Sequence, residues 1–335
     1  MRQSVTLLCL IASFIAAPGV SVRQAETFGD WSTPVPVAEL NTSANDMYAV
    51  LTRDGLTVYF TSNRSGGSGG DDLWYATRPS VDSPWGTPQN MGPEINSSVS
   101  DSLPFLSANE HVMYFQSTRS GGCGFGDIWA TYRRNANLAW ERPVNLGCVL
   151  NTQLWNETAP AFFEDPQTEQ AYLFYGSDRT GGLGDFDVYV SMLNDDGSAT
   201  AGVLVPAFSS PKRDTRIFIR RDGLEAFVTS DRADVGSQGM IDIWTTRRET
   251  LSDQWPTPLV SLPSPVNSSC DDGSPFLSRD GTTLYFFSNR GGSPCGNRDI
   301  WYSTRVKIHE ENNSQPSFAT LWKWMVARVS GSPAS

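Results

Sequence analysis

Residues 278–301 read SRDGTTLYFFSNRGGSPCGNRDIW and carry the pattern that decides the fold. The Asp-Gly pair at 280–281 is typical of a tight hairpin turn, and the apolar run LYF at 284–286 is typical of a buried strand. A Ser-Asn-Arg triplet at 288–290 ends that strand, and after a Gly-rich loop the triplet DIW at 299–301 opens another. This segment therefore predicts successive antiparallel strands.

The same unit occurs five times between Asp46 and Arg305, and such a repeat determines the reading of the whole chain. Each copy has a Ser-x-Arg triplet after an apolar strand, and the arginines are Arg64, Arg119, Arg179, Arg232 and Arg290. Each copy also has an aspartate that opens the strand after the loop, namely Asp72, Asp127, Asp187, Asp242 and Asp299. Five matches in five units make coincidence implausible.

A fourth strand in each unit is marked by tryptophan and proline, and proline suits an edge strand because the edge needs no ladder donor. The copies are WGTP at 85–88, WERP at 140–143, WPTP at 255–258 and an eroded LVP at 204–206. The fifth unit lacks this strand after Arg305, whereas a spare WSTP stands at 31–34. We therefore predict an all-β fold, a five-bladed β-propeller of four-stranded antiparallel blades over residues 26–307, closed by an N-terminal strand that completes the last blade.

The two ends of the chain fall outside the repeat. Residues 1–25 have the layout of a signal peptide, with Arg2, an apolar run at 5–17 and then small residues, although the cleavage point is not defined. The apolar run is too short to cross a bilayer, which takes about 20 residues. We therefore expect an exported protein, periplasmic or extracellular, without a membrane span in the mature chain. Residues 308–335 are expected to form a tail, helical or disordered.

The composition of the chain limits the kinds of partner and chemistry that we expect. The formal net charge of -11 argues against nucleic acid or an anionic membrane surface as the main partner. With only two histidines, a Ser-His-Asp hydrolase is disfavoured, and no Walker loop occurs. No spacing demands a metal, so we predict no metal site and no cofactor; calcium is compatible with an exported chain, but no loop pattern indicates it. A monomer is expected.

A further acid occurs in every unit, three residues before the predicted start of the innermost strand: Asp46, Asp101, Glu157, Asp214 and Asp272. Blade topology places these acids, the Ser-x-Arg triplets, the Gly-rich loops and the strand-opening aspartates on one face. The acids could pair with the arginines and hold the blades in register, or they could form a ring that binds a cation, a sugar or a basic peptide. For the strand-opening aspartates we predict a structural role, because such residues accept hydrogen bonds from loop amides.

The third unit departs most from the others. It has Glu157 where they have aspartate, with Trp155 beside it, and an indole next to an acid could stack on a sugar or fill the gap between blades. The predicted ligand-binding residues are therefore the five acids and Trp155.

Four cysteines remain after the predicted signal peptide, and an even count in an exported chain favours disulfides. We predict the pairs Cys123 with Cys148 and Cys270 with Cys295. A zinc site is the alternative, but the expected ligand spacing is missing.

The repeat resembles the WD40-like β-propeller repeats of exported bacterial proteins, of the type found in the TolB propeller, on the strength of its Asp-Gly hairpins, Ser-x-Arg strand ends and Asp-Ile-Trp strand starts. The resemblance implies an interaction module or an accessory domain of an enzyme. The expected function is an exported binding module for a protein or glycan ligand at the channel mouth. The alternative is a glycosidase-like, carbohydrate-active enzyme that uses carboxylates at the same mouth, since glycoside hydrolysis needs only two acids. The sequence leans away from an enzyme, and no catalytic residue is assigned.

Overall fold

The computed structural model describes residues 26–136 and 138–308. The predicted signal peptide and all but the first residue of the predicted tail lie outside these residues. The described chain is built from strands, and its four-stranded antiparallel sheets form the five blades of a β-propeller. The predicted fold class is confirmed.

Each of the first four blades takes four consecutive strands. In chain order these are β3 (Asp46–Leu51), β4 (Thr57–Ser62), β5 (Asp72–Thr77) and β6 (Gln89–Asn90); β7 (Asp101–Leu106), β8 (Val112–Ser117), β9 (Asp127–Tyr132) and β10 (Val144–Asn145); β11 (Glu157–Glu164), β12 (Ala171–Ser177), β13 (Asp187–Met192) and β14 (Val203–Leu204); β15 (Asp214–Ile219), β16 (Glu225–Ser230), β17 (Asp242–Arg247) and β18 (Val260–Ser261). The first strand of each blade contacts the first strands of the neighbouring blades, so these strands surround the axis.

The fifth blade joins both ends of the chain. It consists of β19 (Asp272–Leu277), β20 (Thr283–Ser288), β21 (Asp299–Thr304) and the N-terminal strand β2 (Val35–Pro36), and β2 pairs antiparallel with β21. The predicted closure is confirmed. A second pair that the sequence did not indicate, β1 (Thr27–Phe28) with β22 (Lys307–Ile308), lies beside it.

The outermost strands differ from the prediction in one respect. In four blades the Trp-Pro motif precedes the short strand instead of forming it, as WGTP at 85–88 does before β6, whereas the eroded LVP at 204–206 overlaps β14. Trp85 is buried and lies against the guanidinium of Arg78, 4.2 Å from ring centroid to Cζ. Gly86 donates its N–H to Thr77 at 2.8 Å. The motif is therefore a packed connection that delivers the chain to the blade edge.

Both predicted disulfides are present. Cys123 is bonded to Cys148 and Cys270 to Cys295, each across a sequence separation of 25 residues. Each bond ties the loop between the second and third strands of a blade to a segment that leads from one blade to the next. Within the described part of the chain, no helix is long and apolar enough to cross a membrane.

Candidate ligand site at the propeller axis

The five predicted acids begin the innermost strands, whereas we expected those strands to begin three residues later. Each acid forms a salt bridge with the Ser-x-Arg arginine of its own blade, as Glu157 does with Arg179 at 2.9 Å. All five acid side chains are fully buried. Each acid is therefore paired with an arginine inside its own blade.

The other carboxylate oxygen of each acid also has a partner. Asp46 accepts hydrogen bonds from the backbone N–H of Thr42 at 2.6 Å and from its hydroxyl at 2.8 Å. Burial raises the pKa of Glu157 and of Asp272, although the arginines oppose the shift. A ligand could reach these oxygens only by displacing their present partners, so their role in ligand binding stays a prediction.

Four of the five arginines of these pairs are also held between two aromatic rings, whereas Arg232 lies over one ring, that of Trp244. The Cζ atom of Arg64 lies 5.1 Å from the ring centroid of Phe60 and 5.2 Å from that of Trp74. Such cation–π contacts fix the guanidinium from both sides, so the pair with Asp46 is built into the packing of the blade. The aromatic residues belong to the second and third strands, and four of the five units repeat both of them; the fourth unit has Val228 at the second-strand position.

The strand-opening aspartates of four blades accept hydrogen bonds from N–H groups of their own loops. Asp72, for example, accepts hydrogen bonds from Gly69 N–H at 3.1 Å and from the amide of Asn90 at 3.0 Å. The fifth, Asp299, differs, because it accepts no hydrogen bond from its loop among the described residues; its Oδ1 atom, like that of Asp187, is buried without a partner. Burial, together with the charge of Asp46, raises the pKa of Asp299 to about 6.

Trp155 is half-buried next to the acid-bearing face, and its carbonyl accepts a hydrogen bond from Phe125 N–H at 3.3 Å. Its carbonyl oxygen would lie 2.3 Å from a Cβ on Gly124, so the loop of blade two packs closely here. Trp155 is not among the residues that line the axial cavity described next. Its predicted contact with a ligand stays a prediction.

A cavity of about 610 Å³ lies at the axis on this face. Its lining includes, from every blade, the residue that stands two positions after the buried acid: Tyr48, Leu103, Ala159, Arg216 and Ser274. These equivalent positions carry five different side chains. The cavity is therefore asymmetric, although the framework around it repeats.

The backbone explains why these positions face the axis. In every innermost strand the pairing with the second strand shifts register just after the acid, which marks a β-bulge. Tyr48 and Leu103 have φ angles of 61° and 60° there, and Ala159 and Ser274 have 51° and 55°. L-residues rarely adopt such angles, and bulges redirect side chains. The bulge thus presents one side chain per blade to the cavity.

An aromatic cluster lies two residues further along the innermost strands. Phe105, Phe218 and Phe276 have ring centroids 5.2 to 6.3 Å apart. They belong to blades two, four and five, and blade two is adjacent to neither of the others, so these rings meet at the axis. The cluster forms an apolar floor beneath the cavity.

Arg216 crosses the axis directly above this floor. Its Nη2 donates to the carbonyl of Pro104, in blade two, at 3.0 Å, and its Cζ lies 5.6 Å from the ring centroid of Phe105. Arg216 is only 2% exposed, yet its Nε and Nη1 have no hydrogen-bond partner among the described residues. Burial lowers the pKa of Arg216 to about 10, so the side chain is still cationic at neutral pH.

The upper part of the cavity carries two more arginines and one carboxylate. Arg298 pairs with Asp271 at 3.1 Å, while Arg213 is exposed. Asp231 is the one carboxylate among the lining residues, and it accepts a hydrogen bond from the backbone N–H of Arg213 at 2.7 Å. The cavity is therefore locally cationic in a chain whose net charge is -11.

Sequence reasoning did not single out these lining residues. The predicted site residues came from the repeated positions, but a repeated residue marks what every blade needs for packing. A usable signal was present in the variation between units, because the position two residues after the acid is Tyr, Leu, Ala, Arg and Ser in turn. In the described part of the chain, no cluster of three or more His, Cys, Asp or Glu side chains is arranged to hold a metal ion.

Comparison with known proteins identifies the fold class. No family model matches the chain, and no curated protein matches it. A thermostable family-43 glycoside hydrolase is similar in structure, with a TM-score of 0.51 and 13% identity over 81% of this chain and 91% of that one. An α-L-arabinofuranosidase from Lactobacillus brevis has a TM-score of 0.51 and 13% identity over 83% and 94% of the two chains.

TolB from Acinetobacter baumannii is also similar, with a TM-score of 0.44 and 12% identity over 80% of this chain and 56% of that one. At such identities a likeness concerns the fold alone. The chain is thus a five-bladed β-propeller, and its resemblance to the TolB-type repeat family stays a prediction.

Proposed function

We propose that this protein is an exported five-bladed β-propeller that binds a carbohydrate in the axial cavity. The observation that carries the proposal is the lining itself, in which each blade contributes a different side chain at the same position. A structural channel would have no need of this asymmetry, whereas ligand sites combine apolar surface with a few polar groups in fixed positions.

The chemistry of the lining suits a sugar. Hydroxyl groups come from Thr215, Ser237 and Ser274, and Tyr48 and Phe287 form an aromatic wall with centroids 5.7 Å apart. Burial raises the pKa of Tyr48, so its phenol stays protonated and can donate at neutral pH. Rings pack against sugar faces while hydroxyls exchange hydrogen bonds with sugar hydroxyls. The glycoside hydrolases of similar fold support a carbohydrate ligand over a protein ligand.

Export rests on the predicted signal peptide and on two disulfides, which are consistent with an extracellular or periplasmic location.

A carbohydrate-active enzyme is the second candidate, favoured by the same glycoside hydrolases. Such enzymes use two carboxyl groups across the scissile bond. Asp231 lines the cavity, and Asp71 lies near enough to influence Tyr48; burial, then the charge of Asp72, raises the pKa of Asp71. If the protein is a hydrolase that uses these acids, turnover of a glycan panel should disappear in Asp231→Asn and Asp71→Asn. We expect binding without turnover.

The binding proposal is tested by filling the cavity. Thr215→Trp places an indole in the cavity, and Thr168→Trp makes the same change in an exposed hairpin at the opposite face. On a panel of neutral and acidic oligosaccharides, calorimetry should show Thr215→Trp weakening binding by about tenfold or more, ~1.4 kcal/mol, with Thr168→Trp unchanged. Equal binding by both variants would exclude the cavity, and no binding by the unmodified chain would exclude the function.

A further inference from the structure

Two buried side chains that have polar atoms without hydrogen-bond partners belong to neighbouring blades. Arg216 and Ser274 occupy equivalent positions in blades four and five, each is 2% exposed, and both line the cavity. In the described part of the chain, Nε and Nη1 of Arg216 and Oγ of Ser274 have no hydrogen-bond partner. Buried polar atoms are almost always paired, so these atoms call for an explanation.

The cost of this arrangement is considerable. An isolated buried charge is strongly disfavoured, and Arg216 has no carboxylate within salt-bridge distance in the described structure. The framework arginines show the contrast: Arg232 of the same blade is also buried, at 5% exposed, but it pairs with Asp214. Packing therefore does not explain Arg216, because Met or Leu would fill the same space above the aromatic floor.

The free donors of Arg216 define the chemistry that would satisfy it. Nε and Nη1 carry most of the five N–H groups of a guanidinium, and these groups prefer an anionic oxygen acceptor. Arg213 and Arg298 add positive charge nearer the surface of the same cavity. Asp271 pairs with Arg298, and Asp231 lies against the backbone of the exposed Arg213, so the charge that is left without a carboxylate is that of the buried Arg216.

We propose that the cavity binds an acidic sugar, with the carboxylate of the sugar held by the guanidinium of Arg216 and the hydroxyl of Ser274. The inference rests on the proposed carbohydrate function and specifies its ligand class. Arg216 then sets specificity at the bottom of the cavity, while the hydroxyls and aromatic rings above it contact the rest of the sugar.

The test uses a matched pair of ligands, an oligogalacturonate trimer and the same trimer methyl-esterified, which differ in charge. By titration calorimetry the acidic trimer should bind the unmodified chain more tightly than the ester. Arg216→Met should weaken binding of the acidic trimer on the order of tenfold to a hundredfold and leave the ester nearly unchanged. Ser274→Ala should weaken binding of the acidic trimer about threefold to tenfold. Arg221→Met, at an exposed turn on the opposite face, is the control.

A structural role for Arg216 would give a different result. Because the substitution removes an unpaired buried charge, Arg216→Met should raise the Tm of the free protein while it lowers affinity. A lowered Tm with parallel losses for both trimers would overturn the inference. So would equal affinity of the unmodified chain for the two trimers, which would leave the carbohydrate function standing.

A binding and competition experiment with inorganic phosphate completes the test. If phosphate binds through Arg216 and neither trimer binds, the cavity is an oxyanion site and the acidic-sugar inference fails; the proposed function fails with it when the oligosaccharide panel shows no binding either. If phosphate competes with the acidic trimer only at much higher concentration, the sugar carboxylate is supported as the ligand group.

Discussion

The buried acids and the cavity-lining residues stand two positions apart on the innermost strands and follow opposite rules. We call the acids with their arginines the outer layer, and the cavity-lining residues the axial layer. In the outer layer, every blade repeats one acid and one arginine, and each buried charge has a partner. In the axial layer, no two blades have the same residue at the cavity-lining position two residues after the acid, and the buried charge of Arg216 is left unpaired. The difference teaches that repetition marks the scaffold in this fold, whereas departure from it marks the candidate site.

The largest effect should come from breaking a framework pair. In Asp214→Asn the charge of Arg232, which is 5% exposed, loses its carboxylate. Removing one partner of a buried pair costs about 3–5 kcal/mol. Denaturant unfolding should therefore show a loss of this size, and Asp222→Asn, in a more exposed pair on the opposite face, should cost much less. Equal losses would mean that the framework pairs are no more important than surface pairs.

The two disulfides allow a matched comparison between a bond that lies against the cavity wall and one that does not. Because both close loops of 25 residues, replacing either pair with serine should lower the free energy of unfolding by roughly 3 kcal/mol. Only Cys270–Cys295 supports the cavity, since Gly239 in its wall packs against the carbonyl of Cys270, which would lie 2.0 Å from an added Cβ. We expect Cys270→Ser/Cys295→Ser to weaken ligand binding and Cys123→Ser/Cys148→Ser not to. Identical binding by the two variants would argue against this coupling.

The smallest effect concerns Asp299, where the framework itself departs from the repeat. The pKa of Asp299 is raised to about 6, chiefly by burial and secondarily by Asp46. The folded state therefore holds this proton more tightly than the unfolded state, and the associated stability, complete below pH 4, is lost as the pH rises through 6. Asp299→Asn should match the unmodified chain near pH 4 and exceed its Tm at pH 7. A constant difference in Tm across this range would contradict the assignment.

Much of the fold could be predicted because it depends on local, repeated signals. Alternating apolar runs, Asp-Gly turns and Ser-x-Arg triplets define strands wherever they occur, and the spare WSTP at 31–34 indicated the closure of the ring. The cysteine pairing could also be predicted, because the two members of each pair are only 25 residues apart in the repeat. The edge strands were misplaced by a few residues, because Trp85 and its equivalents pack as connections.

The candidate site was harder to predict, since it depends on what five distant segments bring to one axis. Sequence reasoning placed the acids on the acid-bearing face but could not tell that both oxygens of each acid have partners, as Glu157 has in Arg179 and Thr152. It passed over Tyr48 and Arg216, because each occurs once and neither matches a motif.

The sequence alone determined the number of blades, their strand order, the closure and both disulfides, since these follow from periodic patterns and short-range turns. Only the tertiary structure decided that the acids are buried, that the β-bulges present one residue per blade to the axis, and that Arg216 reaches Pro104 across it. The physical reason is the distance along the chain: Arg216 and Pro104 are 112 residues apart, and only the closed ring brings them together.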